Sequence, residues 1–326
     1  MAQESMNTAE GHFFPISPLL LFPETSGEFG VYIKINDRFL LYAHPNEPFS
    51  EAQRRKLYEN GVDQLWVVMQ DKESFENYLE RNLGTILDNE NLPLEKRSQV
   101  FYDVSLAIFQ ETFKTRLPST IAPQHFERIQ KLVTQATRFL SRGGSLKSLA
   151  SLISHDYRTY SHSVHVFIFT TAILQTYDLE EKEITRAGVG AILHDIGKVT
   201  IPRQIINKPG ALTSQEREII NTHPVKGVAM CSRLPLSQTA LQVILFHHEK
   251  HDGTGYPAGM QGPDIPLPVK AATLADVYDA ITTVRPYAPA LTPFQALTTM
   301  RDQMQGHFDT EVFKRLIQIL SGAALI

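Results

Sequence analysis

Residues 164–174, VHVFIFTTAIL, form an almost wholly apolar run of helix length, and His162 and His165 stand at its opening. A helix that is apolar on every side has to be enclosed by other elements. An imidazole on such a helix is withdrawn from water and needs a polar partner. The run therefore requires a bundle built around it, with groups on neighbouring helices that meet its histidines.

Candidates for those groups recur at helix ends. His194 and Asp195 close a second apolar segment, ITRAGVGAIL (184–193), whose Ala187, Gly188, Gly190 and Ala191 permit close helix contact. Gly197 is expected to break that helix, and Lys198 follows it. Thr213 and Glu216 have the spacing of a capping box, and His223, followed by Pro224, lies beyond the helix they open. His247 and His248 end a helix that buries Val243, Ile244 and Leu245, and they lead into the stretch HHEKHDGTGYP (247–257). In AATLADVYDAI (271–281), Asp276 and Asp279 are three residues apart and roughly share a helix face.

Each position alone has an ordinary explanation: a core histidine bonded to a carbonyl, a polar helix end, a surface turn. Yet eight of the twelve histidines fall between His155 and His251, at the ends or apolar faces of successive helical segments. A helical bundle that converges imidazoles and carboxylates on one interior point is built to hold metal. Imidazole with carboxylate suits iron, manganese or zinc and argues against an all-oxygen calcium cage. The single cysteine, Cys231, excludes a thiolate zinc site and an internal disulfide, and is expected to be a small buried apolar residue. Spacing alone leaves open whether His162 or His165, and Asp276 or Asp279, would be the ligand.

The remainder of the chain is organised more plainly. Residues 29–43, FGVYIKINDRFLLYA, alternate on either side of Asn36-Asp37 and predict a hairpin, with a helix over about 50–60 stopped by Gly61, a strand at 65–69 and a helix over about 73–87. Residues 1–92 read as a small α/β sensory or regulatory domain, 93–144 as a helical connector broken near Pro118 and Pro123, and 145–326 as an all-helical domain. The fold class is thus mainly α. A net charge of −4 provides no global positive field, so neither a DNA or RNA polymer nor an anionic membrane is an expected partner. The polar start MAQESMNTAEGH lacks the basic region of a signal peptide, and FFPISPLLLF is too short to span a bilayer. The expected location is the cytoplasm.

The blocks HDIGKVTIPRQIINKPGALTSQE, THPVKG, HHEKHDGTGYPAGMQGPDIP and LADVYDAITTVRPY occur in that order. Together they resemble the HD-GYP family of phosphodiesterases, which open bacterial cyclic dinucleotides. The resemblance covers about 145–326 and implies a helical HD-superfamily domain with a metal centre. It implies one ion on His162, His194, Asp195 and Asp276 and another on Asp195, His223, His247 and His248, with Asp195 bridging. On this resemblance His155, His165, His251 and Asp279 have no ligand role, and Asp279→Asn is expected to be much milder for metal content than Asp195→Asn. Lys198 and Arg285 would contact phosphate. Gly253, Gly255, Tyr256 and Pro257 would form the signature loop, its glycines at positive φ and close to the ligand, its tyrosine against a nucleotide. The implied reaction is hydrolysis of cyclic di-GMP to linear pGpG or GMP by a hydroxide held between two ions, iron or manganese.

Three departures from the family pattern bear on this reading. Arg158 stands where trimetal members carry a glutamate, so two ions are expected rather than three. Val284 and Ala288 replace an aspartate and a second cation common around RPY. A catalytically weak effector that binds a cyclic dinucleotide, or a protein partner, through the loop surface is the alternative. A homodimer or a signalling partner at the N-terminal domain or the loop is a further candidate.

Overall fold

The computed structural model describes residues 12–36, 38–114, 121–153, 161–283 and 290–322. They divide into two compact units, 1–100 and 101–326. The first holds a four-stranded antiparallel sheet in the order β1-β4-β2-β3, from β1 (Phe13–Ile16), β2 (Val31–Ile35), β3 (Arg38–Ala43) and β4 (Leu65–Val68). The hairpin β2–β3 forms as its alternation predicts, and Asn36 takes the left-handed conformation at the turn, φ 48°. Strand β1 lies in the proline-containing apolar run FFPISPLLLF, where Phe14 and Ile16 pair with Val67 and Leu65. Periodicity gave no strand there; pairing with β4 supplies it.

Helices α1 (Glu51–Glu59), α2 (Lys72–Arg81) and α3 (Leu83–Asp88) complete this unit, so the single helix expected over 73–87 is two, divided at Asn82. Phe29, Phe75 and Tyr78 meet edge-on or stacked in its core. Helix α4 (Leu94–Lys114) begins here and continues into the second unit.

The second unit adds α5 (Pro123–Leu140), α6 (Ser145–Ile153), α7 (Ser161–Leu174), α8 (Glu181–Leu193), α9 (Arg203–Ile206), α10 (Ser214–Ile220), α11 (His223–Met230), α12 (Gln238–Phe246), α13 (Leu267–Thr282), α14 (Pro293–Gln303) and α15 (Thr310–Leu320). Helix α7 is the enclosed element that its composition requires: residues 163–174 are all buried, and α5, α6, α8, α13 and α15 pack on it. Helix α8 packs in turn on α5 and α12. Thr213 and Glu216 form the capping box of α10. Among the described residues no helix is long and apolar enough to cross a membrane.

Gly197 does not end α8, which stops at Leu193 with His194 as its cap; it lies in a 3₁₀ turn, residues 196–200. What requires glycine there is the approach of α11. A Cβ at 197 would fall on the His223 carbonyl oxygen and lie 2.6 Å from the Gly227 nitrogen. This contact brings the start of α11, and with it His223, against Asp195. Because the obstacle is backbone, Gly197→Ala should destabilise the second unit by about 1–3 kcal/mol or more, the usual cost of overpacking. A urea midpoint equal to that of the parent protein would rule out the close approach.

Candidate metal centre

Three histidines use the same device. His194 caps α8 and points Nδ1 at the Ala191 carbonyl, 2.7 Å; His247 caps α12 and points Nδ1 at Ile244, 2.9 Å. His223, just past α10, points Nδ1 at Ile220, 2.8 Å. Helix ends leave carbonyls without amide partners, and an imidazole N–H supplies one. A carbonyl can only accept, so each ring carries a hydrogen on Nδ1, and in its neutral form Nε2 presents a lone pair.

Those lone pairs converge. The Nε2 atoms of His223 and His247 are 3.1 Å apart, and with both rings neutral neither can donate to the other. The Nε2 of His194 and the Oδ1 of Asp195 are buried without a hydrogen-bond partner. Asp195 lies at the centre: Oδ1 is 3.3 Å from His223 Nε2 and 3.9 Å from His247 Nε2, while Oδ2 is 3.4 Å from His194 Nε2 and 3.7 Å from His162 Nε2. Asp276 closes the cluster, 3.2 Å from His162 Nε2 and 3.6 Å from His248 Nδ1. Two donor sets able to hold an ion result: Asp195, His223, His247 and His248, and His162, His194 and Asp276. Buried acceptors facing one another are destabilising unless a cation lies among them, so the residues present fit divalent metal.

The electrostatics follow from burial and neighbours. Burial, reinforced by His248 and His194, holds the His247 pKa well below the imidazole range. Burial lowers that of His248 to about 4 despite Asp276. For His162, burial is outweighed by hydrogen bonds to Asp276 and Asp279, which raise the pKa to about 10. Asp195 and Asp276 are held well below the carboxylate range: burial opposes ionisation, but Lys198 and His194 around Asp195, and His162 and His248 around Asp276, prevail.

All seven ligand positions expected from the sequence enter this cluster. Lys198 lies beside it, Nζ 2.6 Å from Asp195 Oδ2. Arg285, Arg158, His155, Val284 and Ala288 lie outside the described residues. His165 stays out of the cluster, fully buried one turn along α7. Asp279 is not peripheral: its Oδ2 is 2.6 Å from His162 Nδ1 and its Oδ1 2.7 Å from His165 Nδ1.

The loop after α12 folds back on the helix end. Tyr256 stacks its ring on His248, centroids 4.8 Å apart, and its amide donates to the His248 carbonyl, 3.2 Å. The Tyr256–Pro257 peptide is cis, and Gly253 has φ 79°. Gly255 does not have positive φ. A Cβ there would overlap the Lys250 nitrogen and lie 2.5 Å from Glu249 Cα, so glycine is required by the packing of the loop on the chain at 248–250. The residue that sequence reasoning missed is Glu249. It is buried, and its carboxylate accepts the amides of Ala258 (2.6 Å), Gly259 (3.2 Å) and Met260 (2.9 Å). An acid directly after two candidate ligands was a signal, but the sequence does not name its three partners.

The chain is similar to several known proteins. Residues 166–312 match the family model of the HD domain. A cyclic di-GMP phosphodiesterase of Pseudomonas aeruginosa is 38% identical over 182 residues, 55% of this chain and 43% of the relative. A cyclic di-GMP phosphodiesterase of Vibrio cholerae is 31% identical over 255 residues, 73% of this chain and 51% of the relative. A 3'3'-cGAMP-specific phosphodiesterase of the same organism is 35% identical over 162 residues, 49% of this chain and 31% of the relative. The chain thus spans about half or less of the length of these relatives. An HDG"Y"P protein from Bdellovibrio bacteriovorus has the same fold, with a TM-score of 0.65 at 20% identity over 95% of this chain and 99% of that one. The chain thus carries an HD domain over 166–312, and these relatives are cyclic-dinucleotide phosphodiesterases by name.

The shifted histidines set the stability of the metal-free protein against pH. The ordinary imidazole value is 6.5; below it an unfolded chain binds a proton that folded His248 refuses until about pH 4, so stability falls as pH falls through that window. Above 6.5 the folded chain keeps a proton on His162, up to about pH 10, that the unfolded chain releases, so stability falls as pH rises. Chelator-treated protein should therefore have its highest unfolding temperature near pH 6.5, and added Mn²⁺ should remove the alkaline decline by taking the place of the His162 proton. A melting temperature that climbs steadily from pH 6.5 to 9 without metal would contradict the His162 environment.

Proposed function

We propose that this chain is a metal-dependent phosphodiesterase that opens the ring of a cyclic dinucleotide, cyclic di-GMP in the first instance. The observation that carries the reading is the convergence of unpaired imidazole lone pairs on Asp195. In this reading His162, His194 and Asp276 share one divalent ion with Asp195, which joins His223, His247 and His248 around a second, iron or manganese. Ions bound there would lower the pKa of water and offset charge on a phosphoryl oxygen.

The chain's own groups have separate tasks. Asp195 directs one oxygen at His223 and His247 and the other at His162 and His194, which suits it to bridge. Lys198 is held at the cluster edge by Asp195, partly exposed, where its ammonium can meet a non-bridging phosphate oxygen as negative charge builds in the transition state. Arg285 is assigned the same task. Tyr256, fixed face-on to His248, offers a flat apolar surface beside the cluster for a base or ribose, on a loop shaped by Gly253, Gly255 and Pro257.

Replacing the bridge and replacing the cation should separate these tasks. Asp195→Asn should lose metal and turnover together. Lys198→Ala should keep metal and lose roughly 10²–10³ in rate, the usual cost of one charge-stabilising donor. The assay is metal content by elemental analysis, with linear product from cyclic di-GMP and cyclic GMP-AMP followed chromatographically under reducing conditions. Metal-replete protein that forms no linear product from either substrate, with iron or manganese, would refute the enzyme reading.

A further inference from the structure

The mechanism above leaves Tyr102, His165 and Asp279 unused, yet they form one continuous buried chain ending on a candidate ligand. Tyr102 Oη is 2.5 Å from His165 Nε2, His165 Nδ1 is 2.7 Å from Asp279 Oδ1, and Asp279 Oδ2 is 2.6 Å from His162 Nδ1. Tyr102, His165 and Asp279 are all buried, and the rings of Tyr102 and His165 are stacked. The chain links α4, α7 and α13 within the second unit.

The direction of every bond is fixed by its acceptor. Ionised Asp279 can only accept, so His162 and His165 both donate from Nδ1. His165 Nε2 is then a lone pair and must accept the Tyr102 hydroxyl hydrogen. His162 Nε2 faces Asp195 and Asp276. With an ion in place of the proton there, one arrangement of hydrogens satisfies all four groups and leaves that nitrogen's lone pair to the metal.

We propose that Tyr102, His165 and Asp279 are positioning residues that set the tautomer and orientation of His162, with Tyr102 as the distal end of the relay. The inference rests on reading the cluster as a metal centre. His162 needs such support because it lies in the first turn of α7, and its Nδ1 hydrogen goes to Asp279 where those of His194, His223 and His247 go to carbonyls at helix ends. Asp279 in turn is held by His165 and, at 3.3 Å, by the Thr283 hydroxyl. Without the Tyr102 hydroxyl, His165 Nε2 would be a buried acceptor with no donor from that ring. Moving the hydrogen from Nδ1 to Nε2 would answer this at the cost of the donor to Asp279, and would release the carboxylate that orients His162.

The test reads metal affinity, not turnover. Competition of Mn²⁺ against a chromophoric chelator gives dissociation constants for the full-length chain and for Tyr102→Phe, His165→Asn, the double variant and Asp279→Asn. Groups that orient a metal-binding histidine typically change affinity about 10–100-fold, so Tyr102→Phe should weaken the affected ion about tenfold or more, and Asp279→Asn should weaken it further. His165→Asn can keep an amide donor towards Asp279 while cutting the link to Tyr102. Tyr102→Phe should therefore add nothing in the His165→Asn background. A Tyr102→Phe constant equal to that of the parent, or an undiminished Tyr102→Phe effect in the His165→Asn background, would overturn the relay while leaving the metal centre standing. Parent protein that binds no Mn²⁺ would overturn both.

Discussion

Asp195 is the interaction on which the helical unit depends. Around it, the ends of α8, α10 and α12 each carry a histidine that serves two purposes. The Nδ1 hydrogen satisfies a carbonyl that the helix end would otherwise leave without a donor, and the same bond turns Nε2 towards Asp195. Helix termination and the presentation of a candidate ligand are thus one event. Three imidazoles and a carboxylate held so close would be costly in an apolar interior, and a divalent ion would turn that cost into binding energy. Gly197, which lets α11 lie against the turn after Asp195, and the enclosed helix α7, which brings His162 from the other side, exist on these terms.

The helical bundle was legible because burial leaves a mark on composition. Residues 164–174 could only be an enclosed helix, and they are. The hairpin and the capping box were legible because turn and cap chemistry is local. What the sequence hid were contacts that only packing decides. Asp276 and Asp279 are equivalent by spacing; the structure gives one to the cluster and the other to the Nδ1 atoms of two histidines. Asp279 and His165 are 114 residues apart, and Tyr102 and His165 are 63 apart. No periodicity connects positions so distant. Strand β1 was hidden for the same reason, since its partner β4 lies across the first unit's sequence.

The division of labour between the histidines is also a division between kinds of support. His194, His223 and His247 are braced by backbone, which is rigid and tolerant of side-chain replacement nearby. Among the described residues His162 is braced by side chains, and its supports reach Tyr102 on α4. One edge of the cluster is therefore sensitive to substitutions and helix shifts that the other edge would ignore.

Glu249 gives the signature loop an unusual status. Residues 254–260 contain neither helix nor strand, and most are at least partly exposed. The amides of Ala258, Gly259 and Met260 are nonetheless bonded to a carboxylate buried beneath them. Exchange of those amides with solvent deuterium requires the buried acid to lose its partners, an opening far costlier than the fraying of a free turn. In an exchange experiment this segment should therefore behave as part of the core, with protection nearer that of α12 than that of the surface turns.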